Sequence, residues 1–158
     1  MPTPTRKIYS LDSNALIYAW VEAYRPESFA SFWERLEGLI SEGRVKVSQE
    51  VHEELRRKDD GLFEWLDGHS EAIVADTDEV QAKVTAILAS HPLLIKARKN
   101  RSGADPFVIA VAQCEGATVV TQEPIGSDQT PKIPDVCNAY GVPYQRVVDV
   151  IRDEGWRF

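Results

Sequence analysis

Apolar positions along the chain change period repeatedly, and each change marks a predicted element. The run Lys7-Ile8-Tyr9 predicts a short strand, which Ser10-Leu11-Asp12-Ser13-Asn14 carries into a helix over 15–20. Phe29, Phe32, Trp33, Leu36, Leu39 and Ile40 recur at three- and four-residue steps. That is one face of an amphipathic, core-facing helix, with Ser28 at its cap and Gly43 at its end. Val45-Lys46-Val47-Ser48 alternates with period two and predicts a second strand. A helix over 49–58 follows, Val51 and Leu55 facing the core, and then a short helix over 62–66. Residues 72–75 suit a minor strand or an extended connection, and 78–89 a helix stopped by Pro92. Asp105 at a cap position and Pro106 in the first turn start a helix over 104–113, apolar on nearly every side and so buried, which Gly116 ends. Residues 117–121 form a near-continuous apolar run, the pattern of a strand in the middle of a parallel sheet. A loop over 124–134, a helix over 135–141, an edge strand over 142–145 and a helix over 147–151 complete the chain. Strand and helix alternate throughout, which predicts an α/β fold with helices on both faces of a mostly parallel sheet.

Several of these elements begin or end on a carboxylate. Asp12 closes the first strand, where it either caps the following helix or stands in the crevice where open α/β sheets bind ligands. Asp105 begins the buried helix, Glu123 follows the strand over 117–121, and Glu54 can join from the helix over 49–58. Acidic residues early in that helix also suit its dipole. Carboxylates gathered at close range raise one another's pKa unless a cation intervenes. An oxygen-only donor set of this kind suits Mg²⁺ or Mn²⁺. Directly before Asp105, Lys96, Arg98, Lys99 and Arg101 place four cations within six residues. They form either a solvated face or a loop that contacts phosphate.

Bulk properties narrow the classes further. The 158 residues are 43% hydrophobic and 27% charged, as expected of one soluble domain over 1–158 with a flexible lead over 1–6. No apolar run approaches the roughly 20 residues that span a bilayer, and the start lacks the apolar core of a signal peptide. Cys114 and Cys137 have no metal-type spacing, and His52, His69 and His91 are scattered, which points to buried thiols in a reducing cytoplasm and away from zinc. A net charge of −7 argues against sequence-blind nucleic-acid binding over the whole surface.

Asp12-Ser13-Asn14, Glu54-Leu55, Ala104-Asp105 with Ile109-Ala110, and Val119-Val120-Thr121-Gln122-Glu123 resemble, in this order, the motifs of PIN-domain ribonucleases. The resemblance runs from Ile8 to about Tyr144, and the ending Gly155-Trp156-Arg157-Phe158 is similar to a subgroup of stand-alone PIN-like proteins. It implies a three-layer α/β/α fold and an acidic site of Asp12, Glu54, Asp105 and Glu123 holding Mg²⁺ or Mn²⁺. Ser13, Asn14 and Thr121 would orient those carboxylates, and Lys96, Arg98, Lys99 and Arg101 would meet the substrate backbone. Glu53 is the neighbouring alternative to Glu54, and Asp128 and Asp135 are further candidates. The family usually carries Asp where this chain has Glu123. The activity implied is hydrolysis of RNA to 5′-phosphate and 3′-hydroxyl ends. The partners implied are an antitoxin protein covering the acidic groove and a second copy of the chain, for which apolar groups around Trp20 or Trp65 are available. The Glu123 departure leaves a second reading, a PIN-like module that binds or regulates without cutting. A phosphatase of the haloacid-dehalogenase type fits poorly, because its second aspartate is Asn14 here.

Overall fold

The computed structural model describes residues 6–58, 61–96 and 103–158, the side chains of 95 and 96 aside. Of the expected lead, residues 1–5 lie outside the described residues, and Arg6 pairs with Glu42 at 2.9 Å. Arg98, Lys99 and Arg101, with the side chain of Lys96, also lie outside them.

Strands β1 (Tyr9–Leu11), β2 (Val45–Ser48), β3 (Ile73–Val74), β4 (Thr118–Val120) and β5 (Tyr144–Gln145) form one parallel sheet in the order β3-β2-β1-β4-β5. The first strand in sequence is therefore the middle one, with Tyr9 in register with both Val45 and Thr118. A strand covered on both faces has to be apolar on both, and β4 is buried at all three positions. Helix α7 (Asp105–Glu115) lies across one face, where the buried Ser10 hydroxyl donates to the Val108 carbonyl at 2.8 Å. Outside α7 on the same side pack α5 (Asp78–Ser90) and α8 (Ile133–Tyr140). The opposite face belongs to α1 (Ser13–Ile17), α2 (Ala30–Ser41) and α9 (Val147–Glu154). There Leu11 and Val120 meet Leu16, Phe32, Leu36 and Val150 around an apolar void of about 20 Å³. This is the expected three-layer α/β/α arrangement.

The amino edge of the sheet is stapled by the end of the chain. Arg44 donates to both oxygens of Glu154 at 3.0 and 2.6 Å, and the Tyr9 hydroxyl donates to the same carboxylate. The Arg44 and Glu154 side chains are only 11% and 13% exposed. Burial and the Glu154 carboxylate beside it push the Tyr9 hydroxyl well above its ordinary pKa.

Differences from the sequence expectation are local. The first helix continues into a π-helical turn (Tyr18–Ala23), where the Tyr24 amide reaches back to the Ala19 carbonyl at 2.8 Å. Trp20 and Trp65, around which a second copy of the chain was expected to dock, are half-buried, and Val21 beside Trp20 is exposed. Each of the two tryptophans packs on Trp33, with ring centroids 4.9 Å from it, and Trp33 itself donates to the Tyr24 carbonyl. A short α6 (Leu93–Lys96) follows Pro92 where no element was expected. Helix α8 starts two residues early, because Pro134 sits in its first turn, where a missing N–H costs nothing. Helix α7 has Ala104, not Asp105, at its cap position: the Ala104 carbonyl accepts from the Phe107 and Val108 amides at 2.9 and 3.1 Å, which makes Asp105 the first helical residue. Gly116, at φ 65°, ends that helix in the left-handed region as its type permits.

Candidate active site

Asp12 occupies the cap position of α1 with an extended backbone, yet its side chain makes no cap hydrogen bond. Its carboxylate instead accepts from the Thr121 hydroxyl at 2.9 Å, across from β1 to the end of β4. Side chains two apart along a strand share a face. Asp12 thus follows Ser10 onto the side that α7 covers, and Thr121 follows Val119 there. Burial of the Cys137 thiol on α8, with the Asp12 charge adding to it, pushes that thiol up to about 12, which places Asp12 toward the same layer. Asp105, the first residue of α7, is 5% exposed and Asp12 2%. Two buried carboxylates thus stand at the carboxyl edge of the sheet, with the positive end of α7 beside Asp105.

The three residues expected to orient this edge are present around it. A hydroxyl carries a single proton, and the shorter approach takes that of Thr121 to Asp12, the Asn14 amide oxygen standing at 3.3 Å. Asn14 then accepts from the Gln122 amide at 3.0 Å, and Thr121 accepts from the Glu123 amide at 3.1 Å. Ser13 is buried at the first position of α1. The strand end and the helix start are thereby locked to each other.

The four acidic residues are disposed unequally. On α3 (Gln49–Arg56), Glu53 is exposed and pairs with Arg56 at 3.2 Å. Glu54 is half-buried, and its Oε2 is enclosed without a hydrogen bond. It opens on a recess of about 370 Å³ that it shares with Gly103 and Ala104, the residues leading to Asp105. Glu123 turns the other way: its Oε2 accepts from the Ile133 amide at 3.1 Å, satisfying the start of α8. Asp135 also has a local task, one oxygen accepting from the Gly126 and Lys132 amides at 2.7 and 2.8 Å. Asp128 lines a separate groove with His91 and Asn138. Among the described residues no group of three or more His, Cys, Asp or Glu side chains is arranged to hold a metal ion as they stand.

Glu50, missed as a titrating group by the sequence reading, also lines the recess. Its hydrogen bond to Asp76, then burial, pushes it up to about 7 from its ordinary 4.5. A raised folded-state pKa contributes stability below the unfolded value and loses it as pH rises through the folded one. Wild-type stability should therefore fall between about pH 4.5 and 7 through this pair. Glu50→Gln should flatten that window and exceed wild type above it, as read from urea midpoints across pH. A wild-type curve with no slope there would rule out a shared proton.

The strand order, the all-parallel pairing and the buried acidic edge define a PIN-like α/β/α domain. The chain belongs to the family described as "Domain of unknown function (DUF4411)", which matches residues 9–158. Among solved structures, the crystal structure of VapBC2 from Rickettsia felis bound to a DNA fragment from their promoter has the same fold. It shows a TM-score of 0.56 at 18% identity, over 88% of this chain and 98% of that one. No curated protein matches the chain.

Proposed function

We propose that this protein is a metal-dependent ribonuclease hydrolysing RNA phosphodiester bonds, and that it is the toxin of a toxin–antitoxin pair. The observation that carries the reading is Asp12: a carboxylate in a cap position that does not cap, buried and held by Thr121 at the sheet edge. The partner at 2.9 Å is a neutral hydroxyl, which orients the carboxylate without cancelling its charge.

The donor set fits a hard divalent cation by its chemistry. Asp12 and Asp105 supply buried carboxylates, and the enclosed Glu54 oxygen has no hydrogen bond to lose. These three would hold Mg²⁺ or Mn²⁺, with Glu123 reaching it only by leaving the start of α8. When bound, such an ion lowers the pKa of water and neutralises charge developing on phosphate. The chain's own contribution is orientation: Thr121 fixes the Asp12 oxygen, Asn14 ties the following segment, and the positive end of α7 favours the ionised carboxylates. The segment with Lys96, Arg98, Lys99 and Arg101 is proposed to meet the substrate backbone. The fold shared with VapBC2, a complex seen on DNA from its own promoter, supports a protein partner for this chain. Among the described residues no helix is long and apolar enough to cross a membrane.

Glu123 spent on α8 favours one rival, a PIN-like module that binds without cutting. Calorimetric titration with Mn²⁺ separates the two. A saturable signal in wild type that is lost in Asp12→Asn, with single-stranded RNA cut to 5′-phosphate ends, is expected of the nuclease. A negligible signal in both proteins, with intact RNA, is what the binding module would give.

A further inference from the structure

The recess beside Glu54 is more than one wall of an acidic site. It measures about 370 Å³ and is lined by Glu50, Glu53, Glu54, Arg57, Phe107 and the Gly103–Ala104 backbone. Phe107, in the first turn of α7, is half-buried and gives it one aromatic wall. Arg57 is exposed at the C-terminal end of α3 and provides its cation. Among the described residues no atom lies within 4 Å of where a Cβ on Gly103 would stand.

Three glutamates repel phosphate, so a strand lying over this recess keeps its backbone outside, near Arg57, and offers a base to the interior. Single-stranded RNA is recognised in this manner, its bases splayed onto aromatic side chains and read along their hydrogen-bonding edges. With Glu50 occupied by Asp76, the Glu53 and Glu54 side chains supply the acceptors inside, so the base that fits must present donors. Guanine alone offers two adjacent donors, N1–H and the 2-amino group, on its Watson–Crick edge. In adenine and cytosine a donor lies beside an acceptor, and in uracil one N–H stands between two carbonyls. Of the three glutamates, Glu50 is tied to Asp76 and Glu54 belongs to the proposed metal set. Glu53 uses one oxygen on the exposed Arg56.

We infer that this recess is a guanine-reading pocket in which a base stacks on Phe107 and its N1–H and 2-amino groups donate to Glu53, while Arg57 meets the adjoining phosphate. The inference rests on the ribonuclease reading for its substrate class, and it assigns the base preference of the same site.

Mononucleotide binding tests the pocket without requiring cleavage. Guanosine, inosine, adenosine, cytidine and uridine monophosphates are titrated into the full chain by NMR, metal absent, against wild type, Glu53→Gln and Phe107→Leu. Guanosine monophosphate should bind about tenfold or more tighter than the adenine, cytosine and uracil nucleotides, the discrimination of one bidentate contact. Inosine monophosphate, lacking the 2-amino group, should fall between. Glu53→Gln should erase the preference with its folded spectrum unchanged, and Phe107→Leu should weaken every base. Equal binding of all bases, or none, overturns the pocket. In a parallel Mn²⁺ assay, cleavage of RNA regardless of guanine also overturns it while leaving the nuclease standing. Guanine preference without any cleavage leaves the pocket standing and removes the nuclease. Loss of all cleavage in Glu53→Gln makes Glu53 part of the reacting machinery and refutes its role as base reader.

Discussion

Asp12→Asn and Asp105→Asn should each abolish Mn²⁺-dependent RNA cleavage, by at least about a hundredfold, and leave the fold intact. That is the scale on which removal of one group acting directly on transition-state charge is felt. Both changes keep size and shape and remove only a negative charge. The amide oxygen of residue 12 can still accept from the Thr121 hydroxyl, so the contact that ties β1 to β4 survives. At 2% and 5% exposure an amide costs less to desolvate than an ionised carboxylate. The unfolding midpoint should accordingly hold or rise while activity disappears. Circular dichroism melting alongside a fluorescent RNA cleavage assay reads both quantities from one preparation. Full activity in either variant would refute the assignment of the site.

Glu154→Ala should be the most damaging substitution far from the site. It strips the acceptor from Arg44 and from the Tyr9 hydroxyl together, at a place where both partners are nearly enclosed. Removing one member of a buried pair costs about 3 kcal/mol, and here it leaves Arg44 with Glu42, at 3.3 Å, as its remaining counter-charge. At roughly 2–4 °C per kcal/mol for a domain of this size, the melting temperature should drop by roughly 6–12 °C. Arg44 keeps its bond to the Lys7 carbonyl at 2.9 Å, which holds the loss toward the lower end. Tyr9→Phe, which removes a single hydrogen bond, should cost only about 1 kcal/mol. A Glu154→Ala melt indistinguishable from wild type would show that the staple contributes nothing net.

Elements whose apolar period ran long enough were legible in the sequence. The stripe from Phe32 to Ile40, the alternation over 45–48 and the apolar strand ending at Val120 fall where the periods place them, whereas Phe29, read as the head of that stripe behind a Ser28 cap, is itself the exposed cap residue. Short or non-local features were not. Helix α6 spans too few residues to establish a period, and the π-helical turn depends on Trp20 and Trp33 meeting across two helices. The same packing covers about one side of Trp20 and Trp65, which single residues in a sequence do not reveal. For the proposed site, Asp12 stood out at a strand end and Asp105 at a helix start, and both are buried. Nothing local could say whether Asp12 caps its helix, since the answer lies in Thr121. Nor could adjacency decide between Glu53 and Glu54, whose surroundings differ only once α3 is packed. Glu123 has the reach to serve α8, a use invisible until that helix is placed.

The place of β1 has a consequence for how the molecule comes into being. One edge of the strand waits for β4, and Asp12 waits for a hydroxyl 109 positions later. Pairings so remote in sequence form late. Asp12 therefore cannot be held where the folded chain holds it until the segment carrying β4 has itself been made.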